Sequence, residues 1–420
     1  MMGKLMIDSV KTWATQYKID SFRFDLMGHQ PRAVMEQLKT EVKVAAGRDV
    51  FLIGEGWNYG EVANGARFVQ ASQLSLNGSG IGTFSDRARD RIRGGGCCDD
   101  GASFRAQGYV TGLFYDPNET ASGQSASQLM DYADIIRVGL SGSLRNYQFE
   151  TRDGSVKKGE DLSYGSDPAG YVTDPQEVVN YYENHDNRTF WDAITAKLPK
   201  STSLDDRVRV QSLAAAINSF SQGVAYFHAG SDVLRSKSMD NNSYNSGDWF
   251  NRLDWTYTSN NFGVGLPVSG DQTLAGEFLA ANVAASYTPS KTQIETARDM
   301  FRDLLAIRKS SQLFRMRTSA EVEQRLKFYN TGASQEPTVL VGHLNGVGYT
   351  GANFKEVMYF INVDKQAHSL TIADELGKAY VLHPVQVSGT DRRPANDANY
   401  NPADGTFTIP PRSTVVYVVN

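Results

Sequence analysis

Cysteine is almost absent from this chain: two of 420 residues, Cys97 and Cys98, and these are neighbours. Adjacent cysteines cannot staple distant segments and do not have metal-ligand spacing, so neither a disulfide framework nor a cysteine-ligated metal organises the fold. Long apolar runs are missing too. No stretch of about 18 apolar residues marks a membrane span, and the start, Met1-Met2-Gly3-Lys4-Leu5, lacks the apolar segment of a signal peptide. Neither sign of charge dominates: 42 basic against 47 acidic residues give a formal charge of -5, without the basic footprint of a nucleic-acid binder. Nucleic acid and other polyanions are therefore not expected partners.

The length allows one large domain and one smaller one. Met6, Val10, Trp13 and Tyr17 share a helical face, so the chain opens in a helix. Ile19 to Phe24 reads as a buried strand. Pro31 starts a helix with Val34, Met35, Leu38 and Val42 on its apolar face and Gly47 as its stop, and Val50 to Ile53 is the next strand. Such alternation implies parallel pairing, because parallel neighbours need a crossover. From 58 to 170 the periodicity fails and Gly, Ser, Asn and Asp accumulate, which predicts a loop-rich insertion hiding a fifth strand. Glu177 to Tyr182 and Val224 to His228 are further strands, with a helix between them carrying Val210, Leu213, Ala214 and Ile217. Thr292 and Glu295 form a capping-box pattern before a helix with Ala297, Phe301 and Leu304. After about 318 the period becomes alternating, with five short strands between Thr338 and Val419, so residues 319–420 are expected to form a β-sandwich behind an α/β unit at 1–318.

Three carboxylate-bearing segments end extended runs: Phe22-Arg23-Phe24-Asp25, Ile53-Gly54-Glu55-Gly56-Trp57 and Glu183-Asn184-His185-Asp186-Asn187. Retaining cleavage of a glycosidic bond needs a nucleophilic carboxylate and a proton-donating carboxyl about 5 Å apart. Asp25 and Glu55 are the candidates. Arg23, two residues before Asp25 and so on the same strand face, is placed to keep Asp25 charged. Taken singly, a strand-end Asp after Arg also fits a structural ion pair, Gly-Glu-Gly an ordinary turn, and Asn-His-Asp a helix N-terminal corner.

In order, these segments resemble three sequence regions of the α-amylase superfamily, glycoside hydrolase family 13. Two further stretches, Gly82-Thr83-Phe84-Ser85-Asp86-Arg87 through Arg93-Gly94-Gly95 and Leu234-Arg235-Ser236-Lys237-Ser238 through Asp248-Trp249-Phe250-Asn251, are similar to type I pullulanases. The resemblance implies a retaining hydrolase of α-1,6-glucosidic bonds in pullulan, limit dextrins or branched starch. In that scheme Asp25 attacks the anomeric carbon, Glu55 is acid and then base, and Asp186 steadies the distorted sugar. His185 and His29 would meet sugar hydroxyls, Trp57 would stack beside the acid, and Asp248 and Arg252 would grip a neighbouring glucose. An α-glucan is the implied partner. No cofactor is required for the chemistry. Calcium through Asp99-Asp100 or Asp240-Asn241-Asn242 is a further expectation.

The resemblance also predicts what is missing. The family places Asp25 on the fourth strand of an eight-strand barrel, so the fold class expected here is a (β/α) barrel lacking about its first three strands, with two open sheet edges. Full-length relatives are commonly exported, which implies an extracellular or cell-surface setting. Two alternatives stay open: a superfamily hydrolase of α-1,4 bonds, and a noncatalytic glucan-binding remnant. His228 is expected at a barrel rim or in the core, and His343, His368 and His383 on the surface.

Overall fold

The computed structural model describes residues 1–97, 99–242 and 244–420; Cys98 of the cysteine pair lies outside the described residues. Five strands, β1 (Ser21–Phe24), β2 (Phe51–Gly54), β3 (Gly82–Phe84), Val178–Asn180 and Val224–Ala225, pair in parallel in that order. Spatial order equals chain order. That is the layout of a barrel wall, whereas a doubly wound sheet reverses direction at a switch point.

Helix α1 (Met2–Gln16) precedes β1 and packs beside α2 (Arg32–Ala46), which links β1 to β2. Gly47 ends α2 in the left-handed conformation, φ 67°, its N–H bonded to Lys43 O, which a residue with Cβ would resist. The buried face of α1 is Ile7, Val10 and Ala14; Trp13 and Tyr17 of the expected face are exposed, their rings 4.5 Å apart. They lie beside β1, whose outer edge is unpaired among the described residues.

The stretch 58–170 holds the hidden fifth strand expected of it, but more helix than a loop-rich insertion implies. It contains β3, α3 (Asp86–Arg93) and α4 (Ala126–Leu140), a full unit of the wall. Both helices defeat pattern reading. Residues 133–140 of α4 are all buried, so no polar stripe betrays the turn, and α3 buries Arg87, Arg89 and Arg93 although its composition reads as a solvated helix. The same holds for α5 (Phe190–Lys197), all of whose residues are buried; α6 (Leu204–Phe220) follows it. The helix Lys291–Ser310 is capped by Ser290 and Gln293, two residues before the Thr292 and Glu295 expected from sequence.

Beyond it lie a five-stranded antiparallel sheet, in the order Leu326–Tyr329, Val339–Asn345, Glu356–Asn362, Ser413–Val419 and Val381–Leu382, and a three-stranded sheet. Alternation sorts the large sheet's faces. Leu340, Tyr359 and Val416 join the core that contains α6 and the Lys291–Ser310 helix, while Val341, Phe360 and Tyr417 pack on Phe407 and Ile409 of the small sheet. The histidines expected on this surface are withdrawn from it. His343 is buried beside Glu356 (3.1 Å), His368 is half-buried between Asp364 and Glu336, and His383 is buried against Ser310 and pushed down to about 4 by that burial. Each finds a polar partner there: a neighbouring strand's Glu356 for His343, the loop carboxylates Asp364 and Glu336 for His368, and a helix-end hydroxyl, Ser310, for His383.

Phe360 is fully buried, with the Phe407 ring 4.8 Å away. Phe360→Ala is expected to cost about 3–5 kcal/mol. Urea unfolding should show a lower midpoint at unchanged slope; an unmoved midpoint contradicts the packing described.

Candidate active site

The carboxyl ends of the parallel strands open into a cleft of about 1000 Å³ lined by Asp25, Glu55, Trp57, Tyr59, His185 and Asp186 among others. Its geometry starts with the register Phe24↔Gly54, which sets the next residues, Asp25 and Glu55, side by side. Glu55 N donates to Phe24 O (3.1 Å) and Gly28 N to Glu55 O (2.7 Å), so the two strand ends interlock. Gly54 permits the approach: a Cβ there would lie 2.7 Å from Phe24 O and 2.8 Å from Met27.

Arg23 serves both acids. Its Nη1 is 2.7 Å from Asp25 Oδ1 and its Nη2 2.9 Å from Glu55 Oε1, so one guanidinium spans the pair. The sequence reading gave it Asp25 alone. The Phe84 ring of β3 supports the fork at 5.9 Å. The two carboxyls differ in surroundings: the Asp25 side chain is 69% exposed and that of Glu55 7%, with Leu26 N donating to Glu55 Oε2 at 2.8 Å.

Asp186 enters from the corner after Val178–Asn180, with His185 Nε2 3.4 Å from its Oδ1. Tyr59 registers the convergence electrostatically, since burial and then the charges of Glu55, Asp25, Glu61 and Asp186 push its hydroxyl up. Trp57 lines the cleft. His29, expected to line the site, is not among the lining residues; its ring packs edge-on to that of Tyr59 at 4.7 Å. Asp248 and Arg252 are not in this cleft; with Trp249 and Asn251 they line a separate shallow hollow.

The lining also includes residues that no sequence pattern singles out, among them Tyr59, Arg89, Tyr181 and Tyr244. Arg89 donates to Tyr181 OH (2.6 Å) and sits on the buried face of α3, whose motif was noted only as a family marker. Tyr244 is 83% exposed at the rim, in a loop with no periodicity to single it out.

Of the residues expected to offer calcium ligands, Asp99 is paired with cations and Asp240 Oδ2 is buried with no hydrogen-bond partner. Asp99 is buried against Arg93 (2.6 Å) and Lys197 (3.4 Å), which hold its carboxyl below the ordinary range although burial opposes them. Asp240 is fully buried. Among the described residues, the group with metal-ligand composition is His343, Glu356 and Glu375 on the β-sheets, where Lys378 Nζ already lies 2.6 and 2.7 Å from the two carboxylates.

Residues 257–420 match the family described as alpha-1,6-glucosidases, pullulanase-type, C-terminal. The chain is 37% identical to pullulanase 1, chloroplastic, of Arabidopsis thaliana over 100% of its own length and 45% of that protein. It is 38% identical to a pullulanase of Klebsiella pneumoniae over 99% of its length and 38% of the relative's. The crystal structure of the maltotriose complex of PulA from Klebsiella pneumoniae superposes with a TM-score of 0.92 at 38% identity, covering 99% of this chain and 44% of that one. The chain thus spans less than half the length of these relatives. A parallel wall delivering paired carboxylates to its strand ends, followed by antiparallel sheets, is the architecture of glycoside hydrolase family 13. Within that class, residues 257–420 belong to the pullulanase-type C-terminal family, and the chain is similar to pullulanases along its whole length.

Gly54→Ala should destabilise by about 1–3 kcal/mol through overpacking at the β1–β2 junction. Chemical denaturation of the variant beside Gly96→Ala, a site with open space around it and an ordinary φ, checks this; equal effects would contradict a special role for the junction.

Proposed function

We propose that this chain carries the catalytic carboxylates of a retaining hydrolase of α-1,6-glucosidic bonds in pullulan, limit dextrins or branched starch. The observation that carries the reading is the Arg23 fork, which holds Asp25 and Glu55 side by side in a cleft that Asp186 also lines. Asp25, open to the cleft, attacks the anomeric carbon. Glu55, sheltered beside it, protonates the leaving oxygen and afterwards deprotonates the water that resolves the glycosyl-enzyme. Asp186 faces the developing oxocarbenium charge, and Trp57 and Tyr59 offer ring faces to glucose units. His185 hydrogen-bonds sugar hydroxyls. His29 acts through Tyr59, and Asp248 and Arg252 grip a glucose farther along the chain, beside Trp249. This chemistry needs no cofactor. In the same reading the five-stranded wall corresponds to five of a barrel's eight strands, with 1–318 as the catalytic part and 319–420 as the sandwich.

A second reading, glucan binding without turnover, is favoured by one feature: β1, which leads to Asp25, has an unpaired outer edge. It predicts affinity for maltooligosaccharides without new reducing ends.

Asp25→Asn and Glu55→Gln are each expected to lower pullulan hydrolysis by on the order of 10²–10⁴-fold or more while the chain stays folded and monomeric. Chromatography of the products should show maltotriose, the α-1,6 product. Retained turnover in either variant overturns the assignment of roles, and panose-type products would reassign the bond to α-1,4.

A further inference from the structure

Beneath the Asp186 corner lies a buried group that the proposed chemistry does not use. Glu183 is 2% exposed, and its Oε2 accepts from Phe190 N at 2.6 Å. That bond spans the corner from its first residue to the first residue of α5, closing into a ring the segment that carries Asn184, His185 and Asp186. A carboxylate at this place also faces the positive end of the helix dipole. Glu183 Oε1 accepts no hydrogen bond, and the Nδ1 of buried His228 has no partner either; Nδ1 stands 4.0 Å from Glu183 Oε2. A buried N–H without a partner therefore faces the carboxylate oxygen already bonded to Phe190 N, across a gap just too long to close.

The other side of the imidazole fixes its proton. Arg235 Nη1 lies 2.9 Å from His228 Nε2, and a guanidinium only donates. Nε2 is thus the acceptor and the hydrogen sits on Nδ1, towards Glu183. The same guanidinium donates to Ala229 O (2.9 Å) and Asn251 O (3.2 Å). Asn251 ends the short helix Asp248–Asn251, which lines the second hollow with Trp249 and Arg252.

We propose that Glu183, His228 and Arg235 form a buried positioning chain that couples the 248–252 loop to the Asp186 corner, and that glucan seated on the loop closes the Nδ1 to Oε2 gap. A shift of the ring by about 1 Å brings the two atoms into hydrogen-bond reach, which gives Nδ1 an acceptor and Oε2 a second donor. None of the three is a catalytic residue; each acts through Asp186. A second tether runs in parallel: Lys237 Nζ donates to His185 O at 2.8 Å and to Asn187 O, so the corner is held from the same stretch of chain at two points. The proposal rests on the glycosidase reading of the cleft, through the nature of the ligand.

Hydrogen exchange read by mass spectrometry, with maltotriose as the probe, tests it on the whole chain. In the wild type, maltotriose should slow exchange at 247–252 and at 183–192 together. His228→Leu should keep the first effect, lose the second, and speed ligand-free exchange at 183–192 by about three- to tenfold. His228→Gln, whose amide can accept from Arg235 and donate to Glu183, should restore coupling. In turnover, Glu183→Ala should lower kcat about tenfold with KM nearly unchanged, and Glu183→Gln should recover most of it. Joint protection persisting in His228→Leu, or failing to return in His228→Gln, overturns the proposal. If wild type binds no maltotriose, the glucan reading falls; faster ligand-free exchange at 183–192 in Arg235→Leu then still upholds the chain, and unchanged exchange refutes it.

Discussion

The site depends on one guanidinium. Arg23 touches Asp25 and Glu55 at once, and it reaches both only because β1 and β2 end in register and Gly54 lets their backbones close. Without it the nearly buried Glu55 would stand with no cation beside it, and removing one partner of a buried pair costs several kcal/mol. The Phe84 ring beneath the fork ties this arrangement to β3, so three adjacent strands contribute to one contact. The carboxylates are thus held by the sheet and not by loops, which suits a pair whose separation decides its chemistry.

The sheet in turn leans on what surrounds it. The large antiparallel sheet sends one face into the core that contains α4, α5 and α6, so the parallel wall and the β-sheets share a continuous interior. Asp116, in the stretch between α3 and α4, is gripped by Lys365 and Arg412 (2.7 Å each), and Arg412 also meets Asp206 of α6 at 3.1 Å. These contacts brace the far side of the wall. Helix α1 presents Leu5, Trp13 and Tyr17 to solvent, and the outer edge of β1, the strand that follows it, is unpaired among the described residues.

Much of this was legible in the sequence where side chains carry a period or a motif. The apolar stripes of α2 and α6, the alternation after 318 and the three strand-end carboxylates correspond to elements of the structure. What the sequence hid was buried on every side. Helices α4 and α5 have no polar face, and α3 conceals arginines that find partners only in three dimensions, such as Arg89 with Tyr181. The sandwich histidines read as surface groups because their partners, Glu356 for His343 and Ser310 for His383, lie far along the chain. The sharing of Arg23 between two acids needed the β1–β2 register, which no local pattern encodes.

The most direct measurement is the identity of the carboxylate that becomes covalently attached to sugar. A 5-fluoro-α-glucosyl fluoride slows release of a glycosyl-enzyme more than its formation, so digestion and mass spectrometry of the treated chain reveal the attached residue. The account predicts one added glycosyl group on the peptide containing Asp25, and none after Asp25→Asn. An adduct on Glu55 or Asp186, or none from a folded chain that turns over pullulan, would contradict it.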